Sequence, residues 1–105
     1  MDEFYFVYIL KSLKDGKNYA GYTKNLKLRF EQHQNGEVDS TKYRQPLKLI
    51  YFEACLNQKD ALKREKYFKT HYGKMYLKNR LANWNVEVQS KSHSTGLTLW
   101  NTAKR

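Results

Sequence analysis

The apolar run from Phe4 to Leu10, FYFVYIL, limits what this chain can fold into more than any other stretch. It is rich in aromatic and β-branched residues and too short to span a bilayer, so it reads as a buried strand. Asn18 to Tyr22 is a second strand-like run, and Asp15-Gly16 between the two is a turn signal, which makes the pair a β-hairpin. Side chains alternate along a strand, so with an even-numbered loop Tyr8 and Tyr19 project from the same face. A two-residue turn at Asp15-Gly16 pairs Tyr19 with Ser12 and leaves it far along the strand from Tyr8. A four-residue loop from Ser12 to Asp15 sets the two tyrosines opposite each other, and that longer loop is expected if both phenols serve one site.

Beyond Tyr22 a helix begins, with Asn25 as its N-cap and Asn35-Gly36 as its left-handed stop. Arg29 and His33 are four apart and share a face beside Leu26 and Phe30, which must turn towards the sheet. On spacing alone, Arg29 reads as a solvated charge and His33 as a boundary residue. Glu37 to Gln45 is polar and aperiodic, a loop that ends at Pro46. Leu47 to Ala54 is a third strand in which Leu47, Leu49 and Tyr51 alternate against Lys48, Ile50 and Phe52, so at least one face is expected to be fully buried. Asn57 with Asp60 caps a helix that keeps its spacing from Gln58 to Tyr72 and stops at Gly73, and a last helix runs from Lys74 to Asn83. The order β-β-α-β-α-α describes an α+β domain: a small three-stranded, mainly antiparallel sheet flanked by helices. It occupies residues 1–84. A polar tail, 85–105, either stays flexible or lays Leu97, Leu99 and Trp100 back on the domain.

Charge then narrows the partner. The 105 residues carry a formal net charge of +10, which points to a polyanion. Lys59, Lys63, Arg64, Lys66, Lys69, Lys74, Lys78 and Arg80 face only Asp60 and Glu65 in the second half of the domain, and aromatics are interleaved with them. A lysine-rich solvated face is the plainer reading of such a stretch; the interleaved aromatics, together with the family resemblance given below, favour nucleic acid over it. The single cysteine, Cys55, cannot form an internal disulfide and suits a reducing, cytoplasmic setting; it reads as a small core residue. Met1-Asp2-Glu3 is the wrong start for a signal peptide, and no Cys/His spacing suits zinc.

Glu65 stands out among the lysines. It falls on or beside the apolar stripe formed by Ala61, Leu62 and Phe68, where a carboxylate is costly without a partner. From the pattern, a buried salt bridge to Arg29 or Arg64 and a metal site are both open.

These residues together resemble the GIY-YIG nuclease domain, in its small stand-alone branch. Val7-Tyr8-Ile9 and Tyr19-Ala20-Gly21 stand as the two name motifs, Arg29 and His33 follow on the helix, and Thr41, Pro46-Leu47, Tyr51, Glu53, Ala61, Arg64-Glu65 and Lys69 continue the likeness. Phe6-Val7 replace Gly-Ile, Ala20 replaces isoleucine, and Tyr22 stands where a basic residue is common, with Lys24 its nearest substitute. The resemblance implies metal-dependent hydrolysis of phosphodiester bonds in DNA with low sequence specificity, as in repair or recombination; RNA stays open on the residues alone. It implies that Tyr19 deprotonates or positions the attacking water, that Tyr8 supports it through a hydrogen bond, and that Arg29 binds the phosphate. His33 would assist proton transfer or hold the phosphate, and Gly21 would let the backbone approach the substrate. Glu65 would hold one Mg²⁺ or Mn²⁺, with Lys24, Lys63, Arg64 and Lys69 along the nucleic acid. The competing reading is a basic module that binds nucleic acid on the same fold without cutting it. A third reading is a structural adaptor whose charge is incidental.

Overall fold

The computed structural model describes residues 3–87. Its elements are β1 (Tyr5–Ser12), β2 (Asn18–Thr23), α1 (Leu26–Gln34), β3 (Leu47–Cys55), α2 (Gln58–Phe68) and α3 (His71–Arg80). The fold is α+β, with one antiparallel sheet in the order β2-β1-β3. The apolar run takes the central place, and Val7, Tyr8, Ile9 and Leu10 are each at most 2% exposed. Among the described residues, those up to Thr70 form one compact unit and those from His71 to Glu87 belong to a second. All the candidate site residues belong to the first.

The hairpin loop has four residues, 13–16, but it is shifted by one from the expected position. Gly16 takes the left-handed slot at φ 74°, and the Ser12 N–H bonds the Lys17 carbonyl at 2.8 Å. Tyr8 therefore lies opposite Gly21, and Tyr19 opposite Leu10. The two tyrosines share a face as diagonal neighbours, with ring centroids 6.5 Å apart. Packing explains the register: Tyr8, Leu10 and Leu47 form a buried cluster against which Tyr19, Leu49 and the α1 residues Leu26 and Phe30 pack.

β3 departs from simple alternation. Tyr51 pairs with Ile9 and Leu49 with Leu10, so the strand bulges at Ile50. Leu47 and Leu49 join the Tyr8 face, whereas Tyr51 and Glu53 turn to the opposite one, under α2. Only Leu47 of this edge strand is fully buried, so the expectation of one fully buried face fails.

Both expected N-caps are made: the Asn25 and Asn57 side chains accept from Leu28 N and Asp60 N, each at 3.1 Å. Gly36, at φ 74°, follows the C-cap Asn35. The end of α2 differs from the expectation, because Phe68 is its last residue. Thr70 directs both its N–H and its hydroxyl to the Tyr67 carbonyl and closes the turn there. Gly73, expected to stop α2, is a buried residue inside α3, and residues 82–87 are helical as well. The tail expected from Asn85 lies mostly outside the described residues. Among the described residues no helix is long and apolar enough to cross a membrane.

Candidate functional site

The site is built on the hairpin face and the inner side of α1. Tyr8 is 1% exposed, and its hydroxyl lies 2.8 Å from His33 Nε2. His33 Nδ1 in turn lies 2.7 Å from the Thr41 hydroxyl. The Tyr8, Tyr19 and His33 rings form a triangle, with His33 5.6 Å from Tyr8 and 5.4 Å from Tyr19 in edge-on contacts. His33 is fully buried and was expected to hold phosphate or move protons. Burial, aided by the nearby Arg29 charge, lowers its pKa to about 4. At neutral pH it is therefore an uncharged anchor for the Tyr8 phenol.

Gly21 owes its place to Tyr8. A Cβ at Gly21 would lie 2.3 Å from both Cζ and the hydroxyl oxygen of Tyr8. The missing side chain thus makes room for a protein ring, where a backbone approach to substrate was expected.

Arg29 and Glu65 both act on Tyr8. Burial raises the phenol's pKa, the Arg29 guanidinium pulls it down, and the charges of Tyr19 and Glu65 push it up, leaving it above its ordinary value. Arg29 is half-buried and donates to the Gln32 carboxamide oxygen at 3.2 Å. It lines a cleft of about 450 Å³ together with Tyr22, Lys24, Gln32 and Gln58. Tyr22 stacks on Tyr5 at 6.3 Å, accepts from Gln58 at 3.0 Å, and has Lys24 near the Tyr5 ring at 5.9 Å. The hairpin, α1 and α2 meet here around one cation-lined hollow.

Two basic residues expected along the nucleic acid are occupied within the fold. Arg64 grips Glu53 through two hydrogen bonds of 2.8 and 2.9 Å and stacks over Tyr67 and Phe68. Tyr51 also donates to Glu53, at 2.8 Å. Burial works to raise the Glu53 pKa, but these donors outweigh it and leave the carboxyl below its usual range. Arg64 is therefore a clamp between α2 and β3, and its sequence neighbours gave no sign that an acidic strand residue would face it. Lys69 bonds Glu65 at 3.3 Å. Lys63 is exposed, as expected of a residue that meets a polyanion.

Glu65 is not in the salt bridge to Arg29 or Arg64 that its position left open. Lys69 is its hydrogen-bond partner among the described residues, and the Glu65 side chain is 20% exposed. Among the described residues no group of three or more His, Cys, Asp or Glu gathers around a cation position. Glu65 still fits a hard divalent ion: Glu53 has both oxygens occupied, while Glu65 holds only an exposed lysine that an ion can displace. Substrate phosphate and water would complete the shell.

The buried imidazole also sets an acid limit on stability. The folded pKa of His33, about 4, lies below its ordinary 6.5, so between these values the unfolded chain binds the extra proton. Stability is fully present above pH 6.5 and is expected to fall by on the order of 3 kcal/mol as pH drops through that window. Glu53 adds loss in the same direction at the acid end. Urea unfolding midpoints at pH 7 and pH 4.5 measure the effect, and equal midpoints would mean that the imidazole protonates freely in the fold.

Comparison with known proteins follows the same residues. The model of the GIY-YIG catalytic domain matches residues 4–81. The UPF0213 protein SERP0126 of Staphylococcus epidermidis is 41% identical over 75 residues, covering 70% of this chain and 90% of that one. The UPF0213 protein CPE1444 of Clostridium perfringens is 46% identical over 65 residues, 61% of this chain and 69% of its own. The solution NMR structure of the UPF0213 protein BH0048 from Bacillus halodurans is 31% identical and covers 70% of this chain and 81% of that chain, with a TM-score of 0.45.

Proposed function

The chain belongs to the GIY-YIG catalytic domain family, a nuclease family, and from that premise we propose that it is a divalent-metal-dependent endonuclease acting on DNA in the cytoplasm, with low sequence specificity. The observation that carries this reading is the packed triangle of the Tyr8, Tyr19 and His33 rings next to the Arg29-lined cleft, with the Arg29 and Glu65 charges both acting on the buried Tyr8 phenol. A module that only binds nucleic acid needs cations and has no use for a carboxylate whose charge reaches the tyrosines.

In the proposed reaction a water oxygen attacks phosphorus and the bond to the opposite ester oxygen breaks; Tyr19 orients that water and relays its proton, taking it on the phenol oxygen as its own hydroxyl proton passes to solvent. Arg29 holds the non-bridging oxygens and offsets the charge that develops on them. Tyr8 supports the nucleophile through a hydrogen bond, held in place by His33. A Mg²⁺ or Mn²⁺ ion at Glu65 would supply Lewis-acid stabilisation of the leaving oxygen. Lys24 and Lys63 extend the phosphate contacts along the strand.

The test is incubation of the purified protein with labelled duplex, single-stranded and branched DNA in Mg²⁺, Mn²⁺ or EDTA. Nicking that needs metal is expected, with affinity that falls steeply as salt rises and little preference among sequences. Binding without cleavage in any metal would establish the binding module instead. Tight, salt-insensitive binding to one short sequence would contradict the low specificity.

A further inference from the structure

Thr41 sits in the irregular connection between α1 and β3, yet it is 0% exposed. Its hydroxyl oxygen lies 2.7 Å from His33 Nδ1, and among the described residues its side chain has no other hydrogen-bond partner. On the far side of the ring, Nε2 lies 2.8 Å from the Tyr8 oxygen. A neutral imidazole carries one proton, so one of its nitrogens donates and the other accepts.

The two arrangements differ in what they strand. With the proton on Nδ1, His33 donates to Thr41 and accepts from Tyr8, and the Thr41 hydroxyl proton is then sealed in the core with no acceptor. A buried donor left unbonded is costly and rare. With the proton on Nε2, the Thr41 hydroxyl donates to Nδ1 and Nε2–H donates to Tyr8. Thr41 is then satisfied, and the one proton left to place is that of Tyr8, which is as buried as Thr41 at 1% exposure. Unlike Thr41, Tyr8 has further acceptor oxygens in its surroundings: the Tyr19 phenol packs beside it with ring centroids 6.5 Å apart, and Tyr19 and Glu65 both act on it electrostatically.

We propose that Thr41 is a positioning residue whose hydroxyl donates to His33 Nδ1, fixes the imidazole as its Nε2–H tautomer, and so leaves the Tyr8 hydroxyl as a donor towards the Tyr19 side of the site. The role of Tyr8 at the reacting phosphate rests on the nuclease reading, whereas the tautomer does not. Three donors run in line from Thr41 through His33 to Tyr8, each polarising the next. Tyr8 then offers a hydrogen bond to the attacking water or to the Tyr19 oxygen and does not take up the water's proton. The burial and the Arg29 charge that keep His33 uncharged maintain the single-proton ring on which this depends.

The full chain labelled with ¹⁵N reports the tautomer directly through long-range imidazole ¹H–¹⁵N correlations at pH 7 in EDTA. The His33 signals are assigned by difference against His71→Gln and His93→Gln. The expected pattern is that of Nε2–H, with Nδ1 shifted by an accepted hydrogen bond. Thr41→Ser should keep that shift and Thr41→Val should lose it. An Nδ1–H pattern in the native protein, which needs no variant to fold, overturns the proposal. So does a Thr41→Val spectrum identical to the native one. In the nicking assay Thr41→Val should lower kcat by about ten-fold at unchanged KM, since outer partners that orient a working imidazole are typically worth that much, and Thr41→Ser should restore it. An unchanged kcat in Thr41→Val overturns the positioning role. A native protein that shows the Nε2–H pattern but never cuts removes the nuclease reading and leaves the tautomer assignment standing.

Discussion

Glu65→Gln is expected to abolish cleavage while leaving the metal-free fold almost as stable as before. The side chain's partner is Lys69, one helical turn away at 3.3 Å and 55% exposed. Exposed pairs of this spacing contribute about 0.3 to 0.5 kcal/mol, so their loss hardly moves a melting curve. The catalytic loss is of another order. Lewis-acid stabilisation of the leaving oxygen is worth several kcal/mol, which corresponds to about a thousand-fold or more in kcat. DNA affinity should hold or rise, because a negative charge leaves a basic surface. Thermal unfolding in EDTA, paired with nicking in Mn²⁺, separates the two effects. A large fall in melting temperature would show that Glu65 supports the fold, and near-native nicking would remove it from the reaction.

Gly21→Ala should damage the same site through packing alone. The added methyl would lie 2.3 Å from Tyr8 Cζ and 2.8 Å from its Cε1. Tyr8 has nowhere to go, since it is 1% exposed and its hydroxyl is tied to His33 at 2.8 Å. Forcing a methyl into a packed core typically costs 1–3 kcal/mol, and this rigid neighbour places the expected loss at about 3 kcal/mol, with cleavage lost as well. The cause is separable from a general intolerance of alanine in the strand. In a Tyr8→Ala background the three contacts nearest the added methyl are gone, so the double mutant should fall short of additivity by about 2 kcal/mol. Additive losses, or a native melting temperature for Gly21→Ala alone, would mean that the ring does not hold this position.

How much of this the sequence discloses depends on which interactions are local. Caps are local, and Asn25 and Asn57 are legible because each bonds an amide three residues on. The shared face of Tyr8 and Tyr19 is legible because parity survives any even-numbered loop. Register is not protected in that way, and it was decided by the space above Gly21 and the packing of Leu10 against Leu47. The end of α2 was misread because Gly73 looks like a stop, whereas Thr70 closes the turn earlier through the Tyr67 carbonyl. Arg64 read as one more surface cation, since nothing near it in the chain announces Glu53. Thr41 lies in a polar stretch that looks solvated, and only the return of that loop over His33 buries it.

The bulge at Ile50 sorts charge. Up to Leu49 the odd-numbered residues of β3 face Tyr8, and after the extra residue the even-numbered ones do, so Phe52 lies opposite Tyr8 and Glu53 opposite Val7. An unbroken strand would keep Glu53 in phase with Leu47 and Leu49 and aim its carboxylate into the tyrosine pocket, away from Arg64. A second anion there would repel a phosphodiester and compete with Glu65 for any cation. One additional residue in an edge strand thus decides the electrostatic sign of the pocket floor, without any charged residue being gained or lost.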